Sequence, residues 1–173
     1  MSALVPPPGT PLPNVDEPDF APFWAGCRLG RLLLPRCAEG HLNWPPRPVC
    51  RTCRADITDW TQVPGRGRLF SWTVVHRTRL RGYADLTPYT VVIVALDQDP
   101  AIRLLGRCVR PPARPAQGMP METEYVPAAE GVVLPFWRPA AESAPGAGEP
   151  ASAEPPAPAG EPAPAAPPAR TDH

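Results

Sequence analysis

Apolar and polar positions alternate along this chain with two rhythms. After Asp19, large aromatics fall at Phe20, Phe23 and Trp24, and the run ends at Gly30. That spacing predicts a short helix with an aromatic face, begun at Asp19 and stopped by the glycine. Residues 31–36 (Arg-Leu-Leu-Leu-Pro-Arg) read as a strand. From Arg68 the period becomes two: Arg68, Phe70, Trp72 and Val74 on one face, Leu69, Ser71, Thr73 and Val75 on the other. A loop follows from His76 to Thr87. Residues 88–96 are a β-branched run, expected to be buried on both faces. A turn at Asp97-Gln98-Asp99-Pro100 leads into residues 101–109, with Arg103 and Arg107 on one face and Ile102, Leu104 and Cys108 on the other. Residues 121–126 put Glu122 and Glu124 on a solvated face, and residues 131–136 make the last strand. Five strands in roughly 70 residues, with one long loop, suit a small closed barrel of the OB type.

Composition changes the picture at the ends. The chain has 173 residues and 30 prolines, and the prolines concentrate in the two termini. After Trp137 there is no Ile, Leu, Val, Met, Phe, Tyr or Trp. Such a segment buries too little apolar surface to offset the entropy of ordering. The expected division is an extended arm over 1–17, a helix with a metal knuckle over 18–62, the barrel over 63–138 and a disordered Pro/Ala-rich tail over 139–173. No stretch is apolar enough for a membrane span and no signal peptide is present, so the cytoplasm is the expected compartment.

Net charge is zero, but unevenly spread: residues 20–138 hold 16 arginines against nine acids, and lysine is absent. A body of about +7 with acidic ends points to an anionic ligand or partner surface, or to arginines that are simply solvated.

The chemistry concentrates between Cys37 and Cys53. Cys50 and Cys53 form a C-x-x-C pair, and Cys37 with His41 offers two more donors, which together would make a Cys3His zinc site. Gly40 stands where a second C-x-x-C would place its cysteine. The alternative is a vestigial knuckle held by packing without metal. A catalytic zinc would need an open position and a general base, and neither is identifiable. Gly65-Arg66-Gly67 lacks the length and lysine of a phosphate loop. The three histidines, His41, His76 and His173, give no nucleophile–base set. Arg68, Phe70 and Trp72 would suit a single-stranded nucleic acid, although a small barrel needs such aromatics for its own filling.

Taken in order, Phe23-Trp24, residues 30–34, Arg36-Cys37, Pro45-Pro46-Arg47, Cys50 to Cys53, Gly65-Arg66-Gly67, residues 71–77, Pro88-Tyr89, residues 104–107, Gly118-Met119-Pro120 and residues 134–139 carry a resemblance. The chain resembles the DUF35 family, two-part proteins with a zinc ribbon and an OB-fold. The resemblance implies a mainly β protein: a short N-terminal helix and rubredoxin-like zinc ribbon, then the small barrel. It implies a structural zinc on Cys37, His41, Cys50 and Cys53. It also implies a non-catalytic accessory subunit of a thiolase-fold enzyme (thiolase, aldolase or acyltransferase) in steroid, lipid or polyketide metabolism, or of a hotdog-fold enoyl-CoA hydratase. In that setting a CoA thioester is a shared ligand. Arg77, Arg79 and Arg81 are placed by their loop to hold its phosphates. Phe20, Phe23 and Trp24 would either dock the partner or fill the core.

Overall fold

The computed structural model describes residues 9–80 and 82–141. The first eight residues of the expected arm, Arg81, and the expected tail from residue 142 onward lie outside the described residues. No helix among the described residues is long and apolar enough to cross a membrane.

Helix α1 spans Ala21–Arg28. It begins after Phe20 rather than at Asp19, and a turn leads into it in which Glu17 O accepts bonds from Phe20 N (2.9 Å) and Ala21 N (2.8 Å). Phe20 caps it without a side-chain bond, and Arg28 places a cation in the last turn, where the helix dipole favours one. At Gly30, φ is +67°, the left-handed turn that ends many helices. The buried face carries Phe23, Gly26 and Cys27.

Strand β1 (Leu32–Cys37) pairs antiparallel with β2 (Ile57–Val63), from Leu32↔Val63 to Cys37↔Ile57. The barrel follows: β3 (Arg66–Val75), β4 (Tyr89–Leu96), β5 (Arg103–Cys108), β6 (Pro120–Ala129) and β7 (Val132–Pro139). It closes in the order β3-β4-β5-β7-β6, with β5 and β7 parallel at Cys108↔Trp137 and the other pairs antiparallel. This is the expected OB barrel.

A single cluster of buried side chains joins the two modules. Phe23, Cys27, Leu32, Leu34 and Val63 from the helix and ribbon pack with Leu69, Val94, Leu104, Met121 and Trp137 from the barrel. A smaller cluster of Val126, Leu134 and Phe136 lies on β6 and β7, with Trp24 of α1 against it.

The structure corrects three readings of the strands. The period-two pattern of β3 breaks at a bulge between Leu69 and Ser71. Leu69 pairs with buried Val94, Ser71 with half-buried Ile93, and Trp72 with buried Val92. Paired residues share a face, so Trp72 and Val74 lie opposite to Arg68, and Phe70 does not continue into them. In β4 only Thr90, Val92, Val94 and Leu96 are buried, while the alternate positions are half-buried. Glu122 and Glu124 are not merely solvated: Arg138 reaches Glu122 at 2.6 Å and Glu124 at 3.4 Å, and Arg110 pairs with Glu124.

Candidate metal centre

Two loops at the far end of the β1–β2 ribbon build this site. Cys37 ends β1 and turns tightly: Gly40 N bonds Cys37 O at 2.9 Å, and Cys37 N bonds His41 O at 3.1 Å. Gly40 takes φ +84°, which a side chain resists, so the turn needs glycine where a second cysteine would be expected. The next residue, His41, supplies the donor instead. The chain then returns along β1, with Arg36↔Leu42 bridged and Asn43 N on Pro35 O at 2.9 Å. In the second loop, Cys50 N bonds Ala55 O at 2.8 Å and Arg54 N bonds Cys50 O at 3.1 Å.

The donor atoms of Cys37, His41, Cys50 and Cys53 all lie within 4.8 Å of one another. Cys37 Sγ is 3.6 Å from His41 Nδ1 and 3.7 Å from Cys53 Sγ. A zinc tetrahedron with ordinary bond lengths sets sulfur–nitrogen and sulfur–sulfur separations of about 3.6 and 3.8 Å. The donor set, its count and these separations fit a closed structural zinc site. Cys37 and Cys50 are buried, Cys53 is half-buried and His41 is exposed.

Cys50 is prepared as a thiolate. Its pKa is pulled from the ordinary 9.0 to about 6, first by the backbone N–H of Cys53, then by those of Thr52 and the Asn43 amide, against the opposing effect of burial. Cys53 moves the other way. The N–H of Ala55 lowers its pKa, but burial and the neighbouring thiols of Cys37 and Cys50 outweigh that and raise it.

Sequence reasoning missed Asn43. It is fully buried, and its amide joins both loops: Nδ2 donates to His41 O at 3.1 Å and Cys50 Sγ at 3.5 Å, and Oδ1 accepts from Arg51 N at 3.1 Å. The only hint was a polar residue between Leu42 and Trp44 in the middle of the motif. Outer partners of this kind orient metal ligands.

Arg54 stands at φ +66° directly after Cys53. The left-handed region disfavours a Cβ, so Arg54→Gly is expected to stabilise the protein by about 0.5–1 kcal/mol, read by thermal melting with zinc content unchanged. A lower melting temperature in this variant would mean that the arginine side chain contributes more than its backbone costs.

The aromatic helix face is largely internal. Phe23 is 5% exposed, with its ring centroid 4.9 Å from both Trp24 and Trp44. Phe20 meets Trp44 edge-on at 6.0 Å. Phe23 is therefore withdrawn from the docking surface entertained for it, because Trp44 beside Asn43 pins the knuckle to α1. Phe20 and Trp24 are half-buried.

Arg77 and Arg79 are exposed and, with His76, Thr78, Ala84 and Thr87, line an open recess of ≈ 620 Å³ below the 3₁₀ turn Ala84–Leu86. Arg81, the third arginine of that loop, lies outside the described residues. Arg107 is half-buried, 6.0 Å from the Tyr89 ring and 5.7 Å from that of Phe136, and burial lowers its pKa. Outside the knuckle, burial pushes Cys27 up to about 12 and also raises Cys108, so both behave as small apolar side chains rather than nucleophiles.

Residues 24–59 match the family model for the rubredoxin-like zinc ribbon domain of ChsH2, and residues 60–126 match that for the ChsH2 C-terminal OB-fold domain. The 3-oxo-4,17-pregnadiene-20-carboxyl-CoA hydratase alpha subunit of Mycobacterium tuberculosis is 32% identical over 109 residues, covering 62% of this chain and 34% of that subunit. A DUF35 domain-containing scaffold protein of Pyrococcus furiosus is 33% identical over 72 residues, covering 42% of this chain and 52% of that protein. The chain thus spans between a third and about half of the length of these curated relatives. Among solved structures, a chain of the Ltp2-ChsH2(DUF35) aldolase superposes with a TM-score of 0.65 at 28% identity, over 74% of this chain and 98% of that one. Ribbon and barrel follow one another in these matches as they do in the fold, and the chain belongs to the DUF35 family.

Proposed function

We propose that this protein is a non-catalytic accessory subunit that binds an acyl-CoA enzyme and helps shape its acyl-CoA site. The observation that carries this reading is the superposition on a chain of an aldolase assembly, which covers nearly all of that chain. A thiolase-fold partner is the first choice. A hydratase partner is the second reading, favoured by the name of the Mycobacterium tuberculosis relative.

In this reading Cys37, His41, Cys50 and Cys53 hold a structural zinc. The metal cross-links the two loops and supplies no chemical step, since four protein donors leave no open position. Arg77 and Arg79, with Arg81 from the same loop, hold phosphates of the CoA moiety by charge-assisted hydrogen bonds. The contribution to the reaction is orientation of the acyl chain and exclusion of water, while the nucleophile or base belongs to the partner. His76, the histidine nearest the recess, is exposed and has no hydrogen-bond partner among the described residues. The rival OB function, binding a nucleic-acid strand, loses support at β3, where the bulge parts Arg68 and Phe70 from Trp72.

The test is a tagged purification from the native host, with mass spectrometry and metal analysis of the same eluate. An acyl-CoA enzyme in equal amount, with one zinc per chain, is the expected result. A chain that elutes alone, or with nucleic acid only, would overturn the reading.

A further inference from the structure

The outward face of β3, β4 and β5 has an unusual composition for a solvated barrel wall. On β4 the outward positions are Tyr89, Val91, Ile93 and Ala95, none of them charged. Ile93 pairs with Ser71 on one side and with Leu105 on the other. Leu105 is 71% exposed and belongs to neither buried cluster. The bulge in β3 turns Phe70 to this same face, where Arg103 lies 3.6 Å above its ring centroid. Arg107, paired with Val91, borders the patch.

We propose that this face, centred on Leu105, is where the partner enzyme subunit seats, and that the partner presents an apolar surface edged with carboxylates. The proposal rests on the accessory-subunit reading and assigns the surface that serves it. Aliphatic and aromatic side chains with arginine, and few other charges, are the composition of an interface core. Charge selects the occupant. Arg68 at the edge of the patch already has Asp97 at 3.5 Å, whereas Arg103 has an aromatic ring beneath it and no carboxylate among the described residues. A second copy of this chain would set Arg103 against its own kind, which is unfavourable. A nucleic-acid strand would find the Phe70 ring already covered by Arg103. An acid-bearing protein surface satisfies Arg103 and covers Leu105.

The test compares full-length wild type with Leu105→Glu and Arg103→Glu. Leu29→Glu serves as control, because Leu29 is equally exposed at 71% but lies at the end of α1. Each is co-purified with the acyl-CoA enzyme subunit that the wild type brings down, and zinc content and melting temperature verify folding. Recovery of the partner is expected to fall at least tenfold for Leu105→Glu and for Arg103→Glu and to stay level for Leu29→Glu. Wild-type recovery in folded Leu105→Glu and Arg103→Glu overturns the surface and leaves the accessory role standing. A wild type that brings down no such enzyme overturns the accessory role and this proposal with it. A Leu105-dependent self-association, or Leu105-dependent binding of single-stranded DNA, in place of the enzyme also overturns it.

Discussion

Cys50→Ser is expected to strip the zinc and to lower the melting temperature by about 10 °C or more, measured by metal analysis and calorimetry on the same sample. Cys50 is the donor that the surrounding structure serves most: it is fully buried and accepts bonds from Asn43 Nδ2 at 3.5 Å and Thr52 N at 3.4 Å. A serine hydroxyl is a poor zinc donor and is too short to reproduce the sulfur contacts. Without the metal, the loops of residues 37–43 and 48–57 keep only turn hydrogen bonds and the packing of Trp44 on Phe23. The ribbon shares one core with the barrel, so the loss spreads beyond the knuckle. Chelation of the wild type should reproduce the Cys50→Ser melting curve. If the wild type carries no metal and Cys50→Ser melts with it, the knuckle is held by packing alone.

Trp137→Ala is expected to cost about 3–5 kcal/mol, the range for truncating a large buried aromatic. Trp137 is 2% exposed and sits where β7 closes the barrel, paired with Thr123 on β6 and with Cys108 on β5. Its indole packs on Gly106: a Cβ there would lie 2.7 Å from Trp137 Cδ1, so this contact exists because position 106 has no side chain. Removing the ring leaves a cavity whose floor is backbone, and a β-strand fixed on both sides cannot collapse into it. Urea denaturation gives the number directly. A loss below about 1 kcal/mol would show that neighbouring side chains refill the space. Trp137→Phe should cost less, since it keeps part of the ring over Gly106.

The same residues show how far a local pattern can be read. The helix and strands β3, β5 and β6 were legible because their side chains follow the period of the element, and β1, β4 and β7 because each is a short apolar run. The order of the pieces suggested the OB closure before any pairing was known. Strand β2 was not legible. Ile57–Val63 is mostly polar, and it is a strand because β1 lies beside it, with Arg36 and Asp59 paired at 3.0 Å across the two. The β3 bulge was invisible for a related reason. Leu69 and Phe70 are adjacent apolar residues, which a strand covered on both faces would show as well as a bulged one. The irregularity arises where Leu69 must bond Met119 O and Gly118 N while it also pairs with Val94. A strand that bends to close a barrel inserts a residue at such a point.

By itself, the sequence determined the four candidate donors, the positions of the helix, β1 and the barrel strands, and the ribbon-then-barrel order. These follow from residue type and from spacings of a few residues, which backbone geometry converts directly into turns and faces. The tertiary structure alone decided the inward place of Phe23, the bridging role of Asn43, the half-burial of Arg107 between two rings, and the exposed Leu105 above Ile93. Each of those depends on which distant segment arrives alongside. Pairing partners in a closed barrel are set by the packing of the whole core, which no short window of the chain contains.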